Sequence, residues 1–581
     1  MNKITLLAAL ALSSCIAAPA FAQTVSGCGT ATIPKADANS VTKLSTQIGC
    51  FTKAGAAASK AVADRQARLK AITVLPTPTP TPAPSPTPTP TPPPVTATPA
   101  PIATKPTFSV GINVAPSIYY NSERTFANLA QGGTWKDPTA GWGATAPAKL
   151  GATGYPIVDG QLLALVAPRQ LWTGGSVTIT CTWEGAATIR VDGQARAALS
   201  ASGQSFAVPA GFDQAKGGYP TLLLYVNGTS AAKPFGKLDC RETGAQAVGQ
   251  FEKTLVDELG AFKLLRFLDW SNTNGNPASV TLANRSTPTH GGMDGVAIET
   301  QVDLANAAGT DAWFTIAWNA DEAYVRAMGE LVRDRLAKGH RAYFELSNEV
   351  WNFSFPVATQ ALNEGLAAVP PLSTDKYSNN PLRYAEKAIW FHKILTDVFK
   401  TDPSRLVRVV ASQSDNSWSA RTILGFRDMA KWTDALATAP YFGHSFFNAP
   451  DDKPTMADLD RLFGKLEAAR VNAIAKAKEN KAAADKYGLR YITYEGGQHM
   501  IPNNPAAQNA VYVAMQRDPR MGEIYDRYLA DWRKVSDDLF TVYSATGGIG
   551  QYGAWGIREY AGQPISGTPK RRAVLDAIVG N

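Results

Sequence analysis

Residues 344–352 read FELSNEVWN. An apolar run ends here in an adjacent amide and carboxylate, Asn348 and Glu349, with the indole of Trp351 close behind. A buried strand ordinarily finishes in turn residues, because an ionised Glu inside a core is costly unless it is paired. A strand that finishes in Asn-Glu points to a use for that Glu.

Working outward, the chain from residue 251 onward alternates strand-like apolar runs with helical patterns. The runs are 262–269 (FKLLRFLD), 311–319 (DAWFTIAWN), 341–347, 405–412, 434–440, 489–495 and 539–546; with 108–113 (FSVGIN) they number eight. After the third, Val325, Met328, Val332 and Leu336 recur on one face of a predicted helix. Eight such units predict an α/β fold, a TIM (β/α)8 barrel with long loops. The competitor is a doubly wound open sheet, but no Gly-rich phosphate loop follows the first strand.

Between the first and second runs the character changes. Val177, Ile179, Cys181 and Trp183 alternate with polar residues, and short strand-like runs follow at 187–191, 205–208 and 221–226, separated by Gly, Pro and Asn turns. This predicts an antiparallel β-sandwich inserted at 121–249, splitting the barrel into 107–120 and 250–581. Trp135, Trp142 and Trp183 are expected to fill the insert's core, although an exposed one would suit carbohydrate.

A barrel gathers its chemistry at the C-terminal ends of its strands. Asn348 and Glu349 end the fourth run, and YITYEGGQH places Glu495 at the end of the seventh. Two Glu converging on one mouth are what glycoside hydrolysis requires, one as proton donor and one as nucleophile or base. The blander alternative makes both structural, paired with Arg or Lys, with Arg266 as the natural partner. Trp270, Trp318 and Trp351 follow or end strands, where aromatic faces stack on sugar rings, and Asn319 ends the third run. His444 and His499 follow strands six and seven, within reach of a sugar hydroxyl.

On these residues the chain resembles the clan A glycoside hydrolases, retaining (β/α)8 enzymes. The resemblance spans residue 108 to the C-terminus without the insert. It implies that Glu349 is the general acid/base, that Glu495 is the nucleophile, and that Asn348 bonds the sugar 2-hydroxyl. Tyr441 in APYFGH matches the clan's Tyr beside the nucleophile, Arg266 its strand-two Arg and Trp555 its Trp near strand eight. Clan members often follow Asn-Glu with Pro; here Val350, Trp351 and Asn352 follow. The implied chemistry needs no cofactor and no metal. The rival class is a non-catalytic carbohydrate-binding or cell-surface matrix protein, cellulose being one possible ligand.

The remaining features bound the setting. Residues 1–22 carry Lys3, an apolar run and Ala20-Phe21-Ala22, a secretory signal with a cut expected after Ala22; Leu12-Ser13-Ser14-Cys15 is the alternative, a lipoprotein box that would tether the chain at Cys15. Secretion or a periplasmic location follows. Residues 23–75 read as a small helical segment, and 76–106 hold 14 prolines among 31 residues, an extended spacer. Four cysteines remain after the signal, and pairing Cys28 with Cys50 and Cys181 with Cys240 is the simplest of three connectivities. No run approaches the 18 or so apolar residues of a membrane span. The net charge of +8 is dispersed, which disfavours nucleic acid and leaves a polysaccharide or oligosaccharide as the expected partner; nothing in the sequence sets an oligomeric state.

Overall fold

The computed structural model describes residues 108–138, 149–165, 175–209, 222–230, 232–288, 295–444, 446–447 and 453–580. The expected signal and lipoprotein box, the helical segment with Cys28 and Cys50, the spacer and Trp142 lie outside the described residues.

Eight parallel strands form one sheet: β1 (Val110–Asn113), β2 (Leu264–Arg266), β3 (Asp311–Ile316), β4 (Ala342–Leu346), β5 (Leu406–Ala411), β6 (Ala435–Thr438), β7 (Arg490–Thr493) and β8 (Phe540–Val542). Each of the eight runs read from the sequence holds one of them. The order places β8 beside β1 at one end and β7 at the other. Thr493 N donates to Leu539 O at 3.2 Å, and Thr541 N to Thr493 Oγ1 at 2.6 Å, drawing these ends together into a barrel.

Alternation along the strands separates two apolar layers. Ala312, Phe314, Ala342 and Phe344 pack outward against helix residues such as Val325, Met328 and Val332. Leu264, Trp313, Tyr343, Val409, Ile492 and Leu539 form a second cluster built from strand positions, the barrel interior. Arg266 shares the inward parity of Leu264, and Glu345 that of Tyr343. The barrel therefore carries ionisable groups inward, just below its mouth.

The chain between β1 and β2 forms two larger antiparallel sheets and, at its end, the short antiparallel pair Ala247–Val248 and Phe251–Glu252. One has five strands in the spatial order Thr134–Lys136, Gln161–Leu165, Leu222–Asn227, Thr188–Gly193, Ala197–Leu199; the other has three, Ser205–Val208, Val177–Glu184 and Gly236–Glu242. They share one apolar cluster that includes Trp135 and Trp183. The segment leaves and rejoins the barrel side by side, with Phe126 bridged to Phe251, Ala127 N donating to Gln250 O and Glu252 N to Thr125 O. Cys181 and Cys240 face each other on adjacent strands and form a disulfide across 59 residues. Replacing both by Ala is expected to cost about 2–4 kcal/mol, read as an earlier unfolding midpoint in denaturant. Among the described residues no helix is long and apolar enough to cross a membrane.

Candidate active site

The stretch after β4 does not continue as strand. Ser347 and Glu349 both hold left-handed backbone, with φ of 61° and 41°, and Asn352 N closes the turn on Glu349 O at 2.7 Å. Left-handed φ in non-glycine residues costs of order 1–3 kcal/mol each and persists where surrounding contacts over-determine it. Here those contacts are polar. Asn348 Oδ1 accepts from Arg266 at 2.8 Å, and Asn348 Nδ2 donates to Asn274 at 3.0 Å. The Glu349 carboxylate accepts from Tyr494 Oη at 2.9 Å and from Asn352 Nδ2 at 2.8 Å.

Arg266 is the hub. Fully buried, it donates to Glu495 at 2.7 Å, to Glu345 at 2.9 Å, to Asn113 at 3.0 Å and to Asn348. Its planar fork lets one guanidinium serve four acceptors from three strand ends at once, which a lysine cannot do. Glu495 is completed by Tyr441, whose Oη donates at 3.0 Å. Glu345 lies beneath, wholly buried, and also accepts from Trp313 Nε1 at 3.0 Å.

Three carboxyls, Glu345, Glu349 and Glu495, thus surround one guanidinium, and a fourth, Asp269, faces the same mouth through Tyr543, which donates to it at 3.1 Å. Burial is the first cause of every shift among them. It lifts Glu349 to about 7, aided by the neighbouring Glu495 charge and opposed by Asn352, Tyr494 and Arg266. Burial also raises Glu495, but Arg266 and Tyr441 pull the other way and favour its ionised form. Asp269 is pushed up to about 6 by burial and by the Glu495 charge. Two carboxyls whose surroundings push their affinities for protons apart are the parts of an acid and a base.

One wall of the mouth is a run of rings. Tyr441 meets His499 edge-on at 5.0 Å, His499 meets His444 at 5.3 Å and Trp555 at 5.6 Å, and Trp555 meets Tyr543 at 6.3 Å. Burial holds His499 near 4, so it is neutral at ordinary pH. The structure therefore brings Asn348, Glu349, Arg266, Tyr441, His444, Glu495, His499 and Trp555 together. Trp351 stands half-buried two residues from Glu349, its indole N–H without a hydrogen-bond partner among the described residues.

Similar folds have been solved in glycoside hydrolases. An arabinofuranosidase of family GH51 from Xanthomonas axonopodis pv. citri is 13% identical, with 55% of this chain and 64% of that one covered and a TM-score of 0.35. An endo-β-1,4-mannanase from Thermotoga petrophila is 10% identical, covering 56% and 73%, with a TM-score of 0.33. A family 1 β-glucosidase from Thermotoga maritima is 13% identical, covering 56% and 86%, with a TM-score of 0.32. This chain spans under two thirds of the length of the arabinofuranosidase. No protein-family model and no curated protein matches it.

Three expected sugar contacts are corrected. Trp270 is fully buried and its Nε1 donates to Ala115 O at 2.9 Å, because the turn Leu268–Trp270 swings the ring into the core. Asn319 is consumed by a loop network, donating to Pro277 O at 3.0 Å and accepting from Gln360 at 2.7 Å. Trp318, offered with them as a strand-end aromatic, is also fully buried and donates to Glu364. Conversely, Glu345, Tyr494, Asp269, Tyr543 and Asn352 went unread. A Glu inside an apolar strand was a legible signal for Glu345, since such a group must find a partner.

Proposed function

We propose that this protein is an exported glycoside hydrolase that cleaves a polysaccharide or oligosaccharide with retention, Glu349 serving as acid/base and Glu495 as nucleophile. The observation that carries the proposal is the asymmetry of the pair: burial raises both carboxyls, but Glu495 accepts from the Arg266 cation at 2.7 Å and from Tyr441 at 3.0 Å, whereas Glu349 accepts only from the neutral Tyr494 and Asn352. In the first step Glu495 attacks the anomeric carbon as Glu349 delivers its proton to the leaving oxygen. In the second, Glu349, now a carboxylate, takes a proton from the water that releases the sugar from Glu495. Asn348, fixed by Arg266, presents an amide beside the acid, and the ring wall supplies a face for the sugar. The two larger sheets between β1 and β2 are read as one β-sandwich domain, 121–249, beside this mouth. The disulfide and the N-terminal signal support export.

The test is hydrolysis across a panel of α- and β-linked glycans, with the first-formed anomer identified by NMR. Retained configuration and loss of turnover in Glu349→Gln support the proposal. Binding without release of reducing ends would instead select a glycan-binding protein.

The pH profile follows from the same pair. Glu349 works as an acid only while protonated, so kcat/KM is expected to fall as pH rises through about 7, its alkaline limb. The acidic limb belongs to Glu495, which works only while ionised. Both limbs are macroscopic values of a coupled set and are read from initial rates between pH 4 and about 9.

A further inference from the structure

A cavity of about 370 Å³ opens beside the carboxylates, lined by Asp269, Asn272 and Asn274 after β2 and by Gln131 and Thr134 of the segment inserted after β1, with the half-exposed Tyr120 also on its wall. Its size falls within the roughly 300–1,000 Å³ of small-molecule sites. Two contacts tie it to the mouth. Asn274 accepts from Asn348, the residue before the acid/base, and Asp269 accepts from Tyr543, whose ring meets Trp555 of the mouth. Asn272 and Asn276 hold left-handed backbone, with φ of 52° and 45°, giving this loop its tight turns.

The lining offers one carboxylate, Asp269, with amide and hydroxyl groups among apolar side chains, and its described residues include no Lys or Arg. Such groups pair with sugar hydroxyls. A uronic acid or sulfated sugar would instead set its charge against Asp269, and the cation that acts on Asp269, Arg266, is already paired with Glu345 and Glu495, although the whole chain carries a net charge of +8.

We propose that this cavity is a binding subsite for one uncharged sugar unit of a chain lying across the mouth, with Asp269 as the residue that reads its hydroxyls and the inserted segment as its far wall. This rests on the hydrolase function proposed above. It deepens it in two ways: the substrate is a neutral glycan, and recognition extends past the cleaved bond onto the insertion.

The test is calorimetry on Glu349→Gln, with neutral β-1,4-linked gluco-, manno- and xylo-oligosaccharides of two to six units and with oligogalacturonates as the charged counterpart. One neutral series is expected to gain about tenfold in affinity on adding the unit that reaches the cavity, the increment of a charge-assisted hydrogen bond. Adding Thr134→Trp, which fills the cavity from the insertion, or Asp269→Asn should abolish that increment. Thr182→Trp, on the exposed face of another inserted strand, should leave it intact. Equal increments in all variants, tighter binding of oligogalacturonate, or no binding of any neutral series would overturn the subsite. Failure of the hydrolase proposal registers separately, as wild-type protein that shows the increment but releases no reducing ends.

Discussion

Replacement of Glu495 by Ala is expected to lower kcat by at least about 10⁴-fold, some 5.5 kcal/mol of transition-state stabilisation. The group removed forms the covalent bond, and no other carboxylate stands ready to replace it: Glu345 is locked beneath Arg266 and Trp313, and Asp269 is engaged by Tyr543. The space left by the side chain adjoins Arg266, which retains its positive charge. Added azide should therefore enter, attack the anomeric carbon from the vacated face and restore part of the turnover as a glycosyl azide of inverted configuration. Glu349→Ala should respond differently. Its loss, about 10²–10⁴-fold, should shrink for aryl glycosides whose leaving group needs no proton. Measured on one activated and one unactivated substrate, the two variants assign the roles. Identical behaviour on both would show that the pair is not divided into acid and nucleophile.

Replacement of Arg266 by Met is expected to cost about 3–5 kcal/mol of stability, because it strands Glu345 and Glu495 in the interior without a counter-charge. It should also cut activity severely, since Glu495 loses the partner that favours its ionised form and the acidic limb of the pH profile moves upward. The double variant Arg266→Met with Glu345→Met separates these effects. Removing the stranded lower carboxylate should recover much of the stability, as buried ion pairs are often replaced by apolar groups without net cost. Activity should stay low, because Glu495 is still unsupported. Chemical denaturation and initial rates on the same preparations check both statements. A double variant that regained activity would mean that Arg266 serves the fold alone.

The barrel was legible because parallel strands are buried on both faces and therefore appear as continuous apolar runs, as Asp311–Ile316 does. Glu349, Glu495 and Arg266 were legible because they interrupt or end such runs. Where reading failed, the cause was local geometry. Trp270 and Trp318 sit at strand ends like genuine sugar contacts, but which way a ring turns depends on the turn that follows. Tyr494 escaped notice because neighbours on a strand face opposite ways. Yet β7 ends at Thr493, so Tyr494 and Glu495 both reach the mouth. Asp269 and Tyr543 meet across 274 positions, a pairing that no linear pattern announces. Between β1 and β2, Val177–Glu184 alternates cleanly and was found, whereas Gln161–Leu165 is buried at every position and Gly236–Glu242 carries four charged side chains, so neither stood out.

The narrow neck at Phe126 and Phe251 has an evolutionary consequence. A module whose two ends emerge as adjacent antiparallel strands can be gained, lost or exchanged by recombination without disturbing the register of its host, because a short hairpin would bridge the same gap. Ancestors lacking it, and cousins bearing an unrelated graft at this junction, are architectures that such a host could accommodate.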